Sequence, residues 1–246
     1  MNLTIAAAQT ASIPGDIAAN AAHHLAVARL AEGADLLIFP ELSLTGYELD
    51  LASANPITTA HPALEPLRQC ARESACTIVA GGPLPGPNGE LYIGAFICHP
   101  SGEITTYAKV HVHSSERHVF TPGPGGPPLH IKGVQIALAI CADATFPEHA
   151  AAAAQAGARL YAVGAMIDDA GYARKSKLLE TYAQQHGIAV LLANYSGVTG
   201  GEVSAGKSHF WANGTSAGVE GTEECLLIVS GSTVSVKPVP RTTHLP

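Results

Sequence analysis

The feature that most constrains the fold is a repeated alternation of short apolar runs with longer segments of helical spacing. The apolar runs predict strands at Leu3–Ala8, Asp35–Phe39, Thr77–Ala80, Leu91–His99, Ile104–Ala108, Val134–Ile140, Leu160–Val163, Ala189–Ala193, Ser208–Ala212 and Leu226–Ser230. The segments between them predict helices at Asp16–Glu32, Pro62–Ala75, Pro147–Ala156 and Tyr172–His186. This alternation is typical of α/β proteins, in which helices cover a sheet.

Several of the predicted strands are hydrophobic along almost their whole length. Such strands have both faces covered, and the helices between them imply parallel connections. The strands Leu91–His99 and Ile104–Ala108 follow each other closely, so we expect a hairpin whose turn is formed by the sequence HPSGE. The chain is therefore predicted to form an α/β sandwich that includes some antiparallel strands.

The composition favours one compact domain over residues 1–246. Hydrophobic residues make up 47% of the chain and charged residues 13%, which suits a core that is stable without disulfides or structural metal ions.

Partners and location are also restricted by the composition. The net charge of −7, without a basic stripe, argues against nucleic acid as a partner. No run approaches the ~18 apolar residues of a membrane helix, and MNLTIAAAQT predicts a strand and not a signal peptide. The five cysteines are too scattered for a disulfide framework, so a cytoplasmic protein is predicted.

Chemically reactive side chains follow the ends of predicted strands. Glu41 follows the second strand and Cys141 the sixth, while Lys109 follows the fifth, with Glu116 shortly after it. Residues beyond the carboxyl ends of strands line the ligand crevice of open α/β sheets. A carboxylate can take the proton of a thiol, and an ammonium can stabilise the oxyanion that forms when the thiolate attacks a carbonyl. The alternative is that Cys141 is an inert core residue, since cysteine is often buried.

The segments FPELSLTGY, KVHVHSSERHVFTPG and ICADATFPEH resemble, in this order, three signature segments of the nitrilase (carbon–nitrogen hydrolase) superfamily. The segments AAAQT, LLANYSG and GKSHFWANG also resemble strands of that family, so the likeness covers nearly the whole chain. The resemblance implies a four-layer αββα sandwich that pairs into homodimers or larger homo-oligomers.

The resemblance also implies a function and a role for each matching residue. Glu41 would be the general base, Cys141 the nucleophile, and Lys109 the cation that stabilises the tetrahedral intermediate. The backbone N–H of Ala142 would complete the oxyanion hole, and Glu116 would help to position the substrate and the lysine. The implied reaction is the hydrolysis of a small carboxamide to its acid and ammonia through a thioester, without cofactor or metal. Hydrolysis of an N-carbamoyl compound or of a nitrile is the alternative within the family.

The chain departs from the family pattern beside the nucleophile. Many members carry a bulky aromatic residue after the cysteine and an arginine before FPE, whereas this chain has Ala142 and Thr145 there. A backbone N–H can still be supplied by Ala142, so the departure puts the substrate class in doubt more than the reactive group. Tyr47, at the end of the first signature segment, is expected to be a supporting residue of the site.

Two alternatives to a thiol enzyme remain open. His111 and His113 are two residues apart, so on a strand they would share a face and could bind a metal, with His118 nearby. No HExxH motif or spaced set of carboxylates completes such a site. The other alternative is a binding protein without catalysis, although the presence of Glu, Lys and Cys together argues against it.

Other polar residues have weaker claims. Asp168, Asp169 and Glu202 follow predicted strands and could attract a cationic amine substrate, although acids in such places are more often solvated loop residues. His23 and His24 lie in the first predicted helix and are expected at the surface.

Overall fold

The computed structural model of the protein describes residues 2–212 and 214–240. Its strands are β1 (Thr4–Gln9), β2 (Leu36–Ile38), β3 (Thr77–Pro85), β4 (Leu91–Cys98), β5 (Ile104–Ala108), β6 (Leu129–Ile131), β7 (Val134–Ile140), β8 (Leu160–Ala165), β9 (Ala189–Asn194), β10 (Val198–Thr199), β11 (Glu202–Val203), β12 (His209–Ala212), β13 (Thr215–Gly218), β14 (Cys225–Ser230) and β15 (Thr233–Pro238). Its α-helices are α1 (Ile17–Leu30), α2 (Leu49–Ala52), α3 (Glu65–Ser74), α4 (Pro147–Gln155) and α5 (Asp169–His186). Short 3-10 helices lie at Pro62–Leu64, Ser114–Glu116 and Cys141–Thr145.

The strands form two large mixed sheets and a small hairpin. One sheet has seven strands in the order β15-β14-β1-β2-β3-β4-β5, and the other has six in the order β13-β12-β9-β8-β7-β6. Strands β1, β2 and β3 are parallel, as are β7, β8 and β9, and the remaining pairs are antiparallel. The two-stranded hairpin is β10-β11.

The two sheets pack face to face and carry helices on their outer faces. Strand β1 shows why, because Ile5 and Ala7 belong to the core between the sheets, while Ala6 and Ala8 belong to the core under the helices. The first sheet is covered by α1 and α3, and the second by α4 and α5, as the buried clusters on each outer face show. This arrangement confirms the predicted αββα sandwich.

The structure confirms the predicted hairpin and adds elements that the sequence did not indicate. Strands β4 and β5 pair antiparallel across the HPSGE turn, in which Gly102 has φ 84°. The unpredicted elements are β6, β13, β15, α2 and the β10-β11 hairpin. The predicted single domain of residues 1–246 stays a prediction, and its two ends, with Asn213 of the GKSHFWANG segment, lie outside the described residues. Within the described ranges, no helix is both long and apolar enough to span a bilayer.

The strand directions bring two of the reactive residues to one edge of the first sheet. Strand β5 is antiparallel to β4, which is antiparallel to β3, and β3 is parallel to β2. Strands β2 and β5 therefore run the same way, so Glu41 and Lys109 leave the sheet at the same edge. Cys141 follows β7 in the facing sheet.

Candidate active site

The turn that carries Glu41 is held between the two sheets by two glycines. A Cβ on Gly81 of β3 would lie 2.7 Å from the carbonyl oxygen of Pro40, and one on Gly164 of β8 would lie 2.7 Å from that of Phe39. These distances are shorter than real Cβ contacts, so no larger residue fits without moving the turn. The next residue, Leu42, has a left-handed φ of 52°, which is uncommon for a residue other than glycine.

A buried histidine supports this turn from the helix side. His24 stacks on the Phe39 ring with a centroid distance of 3.9 Å, and its Nε2 lies 2.9 Å from Ser43 Oγ. Ser43 Oγ also accepts a hydrogen bond from the Gly81 N–H, at 3.2 Å. Burial, together with the neighbouring His23, lowers the pKa of His24 to about 3, so the ring is neutral. The expectation that His23 and His24 lie at the surface is wrong, because the small alanines around them let α1 pack closely on the sheet.

Lys109 is fully buried between two carboxylates. Its Nζ donates to Glu41 Oε1 at 2.6 Å and to both carboxylate oxygens of Glu116, at 2.7 and 2.8 Å. All three side chains have 0% exposure at these contacts. A buried ion pair needs such additional hydrogen bonds to offset the cost of removing the charges from water. The structure thus brings the predicted Glu41, Lys109 and Glu116 together.

Glu116 is fixed by two further donors. The Tyr47 hydroxyl donates to Oε1 at 2.6 Å, and the His113 backbone N–H donates to Oε2 at 2.7 Å. The second bond closes the start of the 3-10 helix at Ser114–Glu116. Tyr47, which was expected to be a supporting residue, therefore contacts Glu116 directly and acts on Lys109 through it.

Cys141 lies at a sharp change from strand to helix. It follows β7, begins the 3-10 helix Cys141–Thr145 and has a left-handed φ of 41°. Strained backbone of this kind persists only where the surroundings enforce it, and it is concentrated at functional sites. The half-buried thiol lies 3.5 Å from the Met166 carbonyl oxygen. The Ala142 N–H is in the first turn of the 3-10 helix, where N–H groups have no acceptor within the helix.

Asp143, which sequence reasoning missed, connects two segments by hydrogen bonds. They are the turn at residues 140–141, called here the cysteine turn, and residues 109–111, called the lysine loop. Its Oδ1 accepts the backbone N–H groups of Val110 and His111, at 3.0 and 2.7 Å. Its Oδ2 accepts the Ile140 N–H at 3.0 Å and the Tyr107 hydroxyl at 2.8 Å. One buried carboxylate therefore sets the backbone directly before Cys141 and directly after Lys109.

The electrostatics favour a neutral thiol beside a carboxyl that can exchange protons near neutral pH. Burial raises the pKa of Glu41 to about 7, and the negative charge of Glu116 adds to a rise that the Lys109 ammonium opposes. Burial and the Glu41 charge raise the pKa of Cys141 to about 12. Burial alone would lower the pKa of Lys109, but the negative charges of Glu41 and Glu116 outweigh it and the net shift is upward. Glu41 Oε2 is buried and has no hydrogen-bond partner among the described residues, so it can accept a proton.

A cavity of about 650 Å³ opens onto the thiol. Both residues at which the chain departs from the family pattern, Ala142 and Thr145, line it, and the Thr145 hydroxyl donates to the Ala142 carbonyl at 2.8 Å. The other residues that line it are Tyr47, His113, Ser115, Glu116, Cys141, Met166, Asp168, Ala170, Gly171, Arg174, Lys175 and Glu202.

The acids that were singled out from the sequence divide into two groups. Asp168 and Glu202 line the cavity, whereas Asp169 forms an exposed ion pair with Lys207 at 2.9 Å. The structure also places two cations in the wall, Arg174 and Lys175, which nothing in the sequence singles out. In the sequence they look like ordinary charged residues on the surface of a helix. Only the packing of α5 on the second sheet brings them to the cavity.

The histidines of the KVHVHSS segment do not form the shared strand face that the metal hypothesis required. His111 and His113 follow the end of β5, outside any strand. The His111 ring stacks on Phe146 with a centroid distance of 3.8 Å, and His113 Nδ1 lies 2.7 Å from Ser115 Oγ. Among the residues that the structure describes, no group of three or more His, Cys, Asp or Glu side chains is placed to hold a metal ion.

Comparison with known proteins identifies relatives along nearly the whole chain. The carbon–nitrogen hydrolase family model matches residues 4–225. An (R)-stereoselective amidase from a Pseudomonas species is 31% identical over 206 residues, which cover 81% of this chain and 74% of the amidase.

Solved structures of an amidase from Nesterenkonia sp. AN1 have a similar fold. One mutant of that amidase, which shows Michael addition of acrylamide at its active-site cysteine, is 32% identical with a TM-score of 0.81 and covers 93% of this chain and 92% of its own. Another mutant, in complex with butyramide, is 30% identical with a TM-score of 0.80 and covers 93% and 90%.

Proposed function

This chain belongs to the carbon–nitrogen hydrolase family, and we propose that it is a cysteine-dependent amidase that converts a small carboxamide to its carboxylic acid and ammonia. Glu41 is the general base, Cys141 the nucleophile, and Lys109 the cation that stabilises the intermediate. The observation that carries the proposal is the buried contact of Lys109 with Glu41 and Glu116 next to a strained, half-buried cysteine at a cavity. The acrylamide adduct and the butyramide complex of the related amidase support a small amide as substrate.

The first half of the reaction forms a thioester. As Sγ of Cys141 attacks the amide carbon, its proton passes to Glu41, and the carbonyl electrons move to the oxygen. The resulting oxyanion accepts hydrogen bonds from Lys109 Nζ, which has three protons to donate, and from the Ala142 N–H. When the carbonyl reforms, the C–N bond breaks and the leaving nitrogen takes the proton from Glu41. Ammonia departs, and the acyl group remains on the sulfur.

The second half hydrolyses the thioester by the same groups. Glu41 takes a proton from a water molecule as its oxygen attacks the acyl carbon. The second tetrahedral intermediate collapses, the C–S bond breaks, and Glu41 returns the proton to the sulfur. Because the pKa of Glu41 is about 7, the carboxyl can both accept and give a proton near neutral pH. Because the pKa of the thiol is about 12, proton transfer accompanies the attack and does not precede it.

The test is ammonia release from a panel of small amides by the wild type, Cys141→Ala and a matched control, Cys76→Ala. Cys76 is buried, and burial raises the pKa of its thiol to about 12 as well, but Glu41 and Lys109 are not among the groups that act on it. We expect the wild type and Cys76→Ala to release ammonia, and Cys141→Ala to lose activity by several orders of magnitude. Undiminished release by Cys141→Ala would contradict the proposed mechanism.

The proposal includes a homodimer or larger homo-oligomer in the cytoplasm. The five cysteines are all free thiols, which suits a reducing compartment. Sedimentation of the purified enzyme measures the assembly, and cell fractionation measures the location. A monomer, or a protein recovered outside the cytoplasm, would contradict this part of the proposal.

A further inference from the structure

Lys175 is a cation in the wall of the active-site cavity that has no counterion. It lies in the second turn of α5, and it lines the same cavity as Cys141. Of the neighbouring charges of α5, Lys177 bonds Glu180 at 2.9 Å, and Arg174, which also lines the cavity, is exposed. Within the part of the chain that the structure describes, Lys175 makes no ion pair and no side-chain hydrogen bond.

The side chain of Lys175 folds back towards the start of α5. A Cβ placed on Gly171, one turn earlier, would lie 3.6 Å from Cε and 3.7 Å from Nζ of Lys175. This direction is the usual one for long side chains on helices. It sets the ammonium near the start of α5, whose N-terminus is capped by Asp168. The ammonium therefore lies over the first turn of α5.

The charge of Lys175 reaches the reacting thiol. Burial and Glu41 raise the pKa of Cys141, and the two cations that oppose the rise most are Lys109 and Lys175. Lys109 is occupied by Glu41 and Glu116, at 2.6 and 2.7 Å. Lys175 is therefore the cation near the thiol that is free to bind a substrate group other than the oxyanion.

The acids of the cavity wall do not neutralise this charge. Asp168 Oδ1 accepts the Gly171 N–H at 3.0 Å and so caps α5. Glu202 is exposed and lies in the β10-β11 hairpin. Neither side chain lies within ion-pair distance of Lys175, and the next acid along the chain, Asp169, binds Lys207.

We propose that Lys175 binds a carboxylate at the far end of the substrate, so that the enzyme prefers amides of dicarboxylic acids to neutral amides of the same length. This inference rests on the proposed amidase function and names the substrate class of the same site. The ammonium would hold the carboxylate while the amide carbon lies at Cys141. A charge-assisted hydrogen bond of this kind corresponds to a change of about 10- to 100-fold in kcat/KM.

The experiment compares succinamate with butyramide, in which a methyl group replaces the carboxylate. Malonamate and glutaramate, paired with propionamide and valeramide, vary the distance between the two ends. The proteins are the wild type, Lys175→Met, Lys175→Arg and the control Lys177→Met, which removes a charge from the exposed side of the same helix. Binding of succinamate and butyramide to Cys141→Ala, with and without Lys175→Met, is measured by calorimetry and needs no turnover.

We expect Lys175→Met to lower the ratio of kcat/KM for the best carboxylate amide to kcat/KM for its neutral partner by about 10- to 100-fold, mainly through the KM of the carboxylate amide. Lys175→Arg should restore much of the preference, and Lys177→Met should behave as the wild type. An equal loss on both amides, an unchanged carboxylate amide, or a preference for cationic amides that depends on Glu202 would overturn the proposal. If binding depends on the Lys175 charge but no ammonia is released, the carboxylate site is supported and the amidase function is refuted. If ammonia is released but neither binding nor rate depends on that charge, the amidase function is supported and the carboxylate site is refuted.

Discussion

Replacing Asp143 by asparagine should loosen the link between the cysteine turn and the lysine loop. Asp143 accepts four hydrogen bonds, two at each carboxylate oxygen, and asparagine offers one acceptor oxygen and one NH₂ group. With the remaining oxygen towards Val110 and His111, the NH₂ group faces the Ile140 N–H and the Tyr107 hydroxyl. The hydroxyl can rotate and accept, because His149 Nε2 lies 3.0 Å away to take its proton. The Ile140 N–H can only donate, so it faces another donor and is left without an acceptor.

The magnitude follows from that one lost bond. A hydrogen bond to a charged group is worth about 1.5–3 kcal/mol, so we expect Asp143→Asn to lower the free energy of unfolding by about that amount. Since Ile140 directly precedes Cys141, the thiol should also shift, and displacements of about 1 Å can cost about 100-fold in rate. We therefore expect kcat to fall about 10- to 100-fold with little change in KM.

The assay combines urea unfolding with steady-state ammonia release on one amide. Asp169→Asn is the control, because its carboxylate forms an exposed ion pair with Lys207 and makes no hydrogen bond to the described backbone around Cys141. A variant at Asp143 that unfolds within 0.5 kcal/mol of the wild type, a margin typical of surface substitutions, and keeps its kcat within about twofold would refute the positioning role.

Other consequences of the site can be measured directly. Glu41 must be ionised to accept the thiol proton, and its pKa is about 7. The value of kcat/KM should therefore fall about tenfold per pH unit below that pKa and stay level towards about pH 10. A rise of kcat/KM that follows the ionisation of an ordinary thiol would contradict this expectation. Gly81→Ala should destabilise the fold by about 1–3 kcal/mol in urea, because its Cβ would meet the Pro40 carbonyl. Gly221→Ala should not, because its Cβ would lie 4.0 Å from the nearest atom, the Glu223 backbone nitrogen; equal effects would count against the packing argument. A chelator should leave ammonia release unchanged, and iodoacetamide should abolish it by alkylating Cys141; the opposite pattern would favour a metal enzyme.

The sequence predicted those parts of the fold that have a local signal. Strands such as β1 and β7 are continuous apolar runs, and the β4-β5 hairpin has a turn sequence between two such runs. Strand β15 was missed because its alternation of valines with polar residues is short and most of its residues are exposed, and β6 has only three residues. The hairpin β10-β11 could have been predicted from the Gly200–Gly201 pair between short valine-containing segments, since two glycines favour a tight turn.

The residues of the site also divide into those that have a signal in the sequence and those that do not. Glu41, Lys109, Glu116 and Cys141 were selected because they follow strands and match family segments. Asp143 and Lys175 were missed because their partners are distant in sequence. Asp143 binds backbone more than 30 residues earlier, and Lys175 meets the cavity only after α5 packs on the second sheet.

His24 was missed for a related reason. Its helix is rich in alanine on several faces, so the hydrophobic spacing does not show which face is buried. A histidine can be buried there because Asn20 and Ser43 supply partners for both ring nitrogens, at 2.6 and 2.9 Å. Neither partner can be identified from the spacing of apolar residues.

The central claim is that the Cys141 thiol carries the acyl group of the amide during turnover. Acid quenching of the wild type during hydrolysis of a slow amide, followed by peptide mapping by mass spectrometry, measures this directly. We expect the mass of the acyl group on the peptide that contains Cys141, its loss on a chase without substrate, and its absence in Cys141→Ala. Turnover with no acyl group on that peptide, or with the acyl group on another residue, would contradict the account.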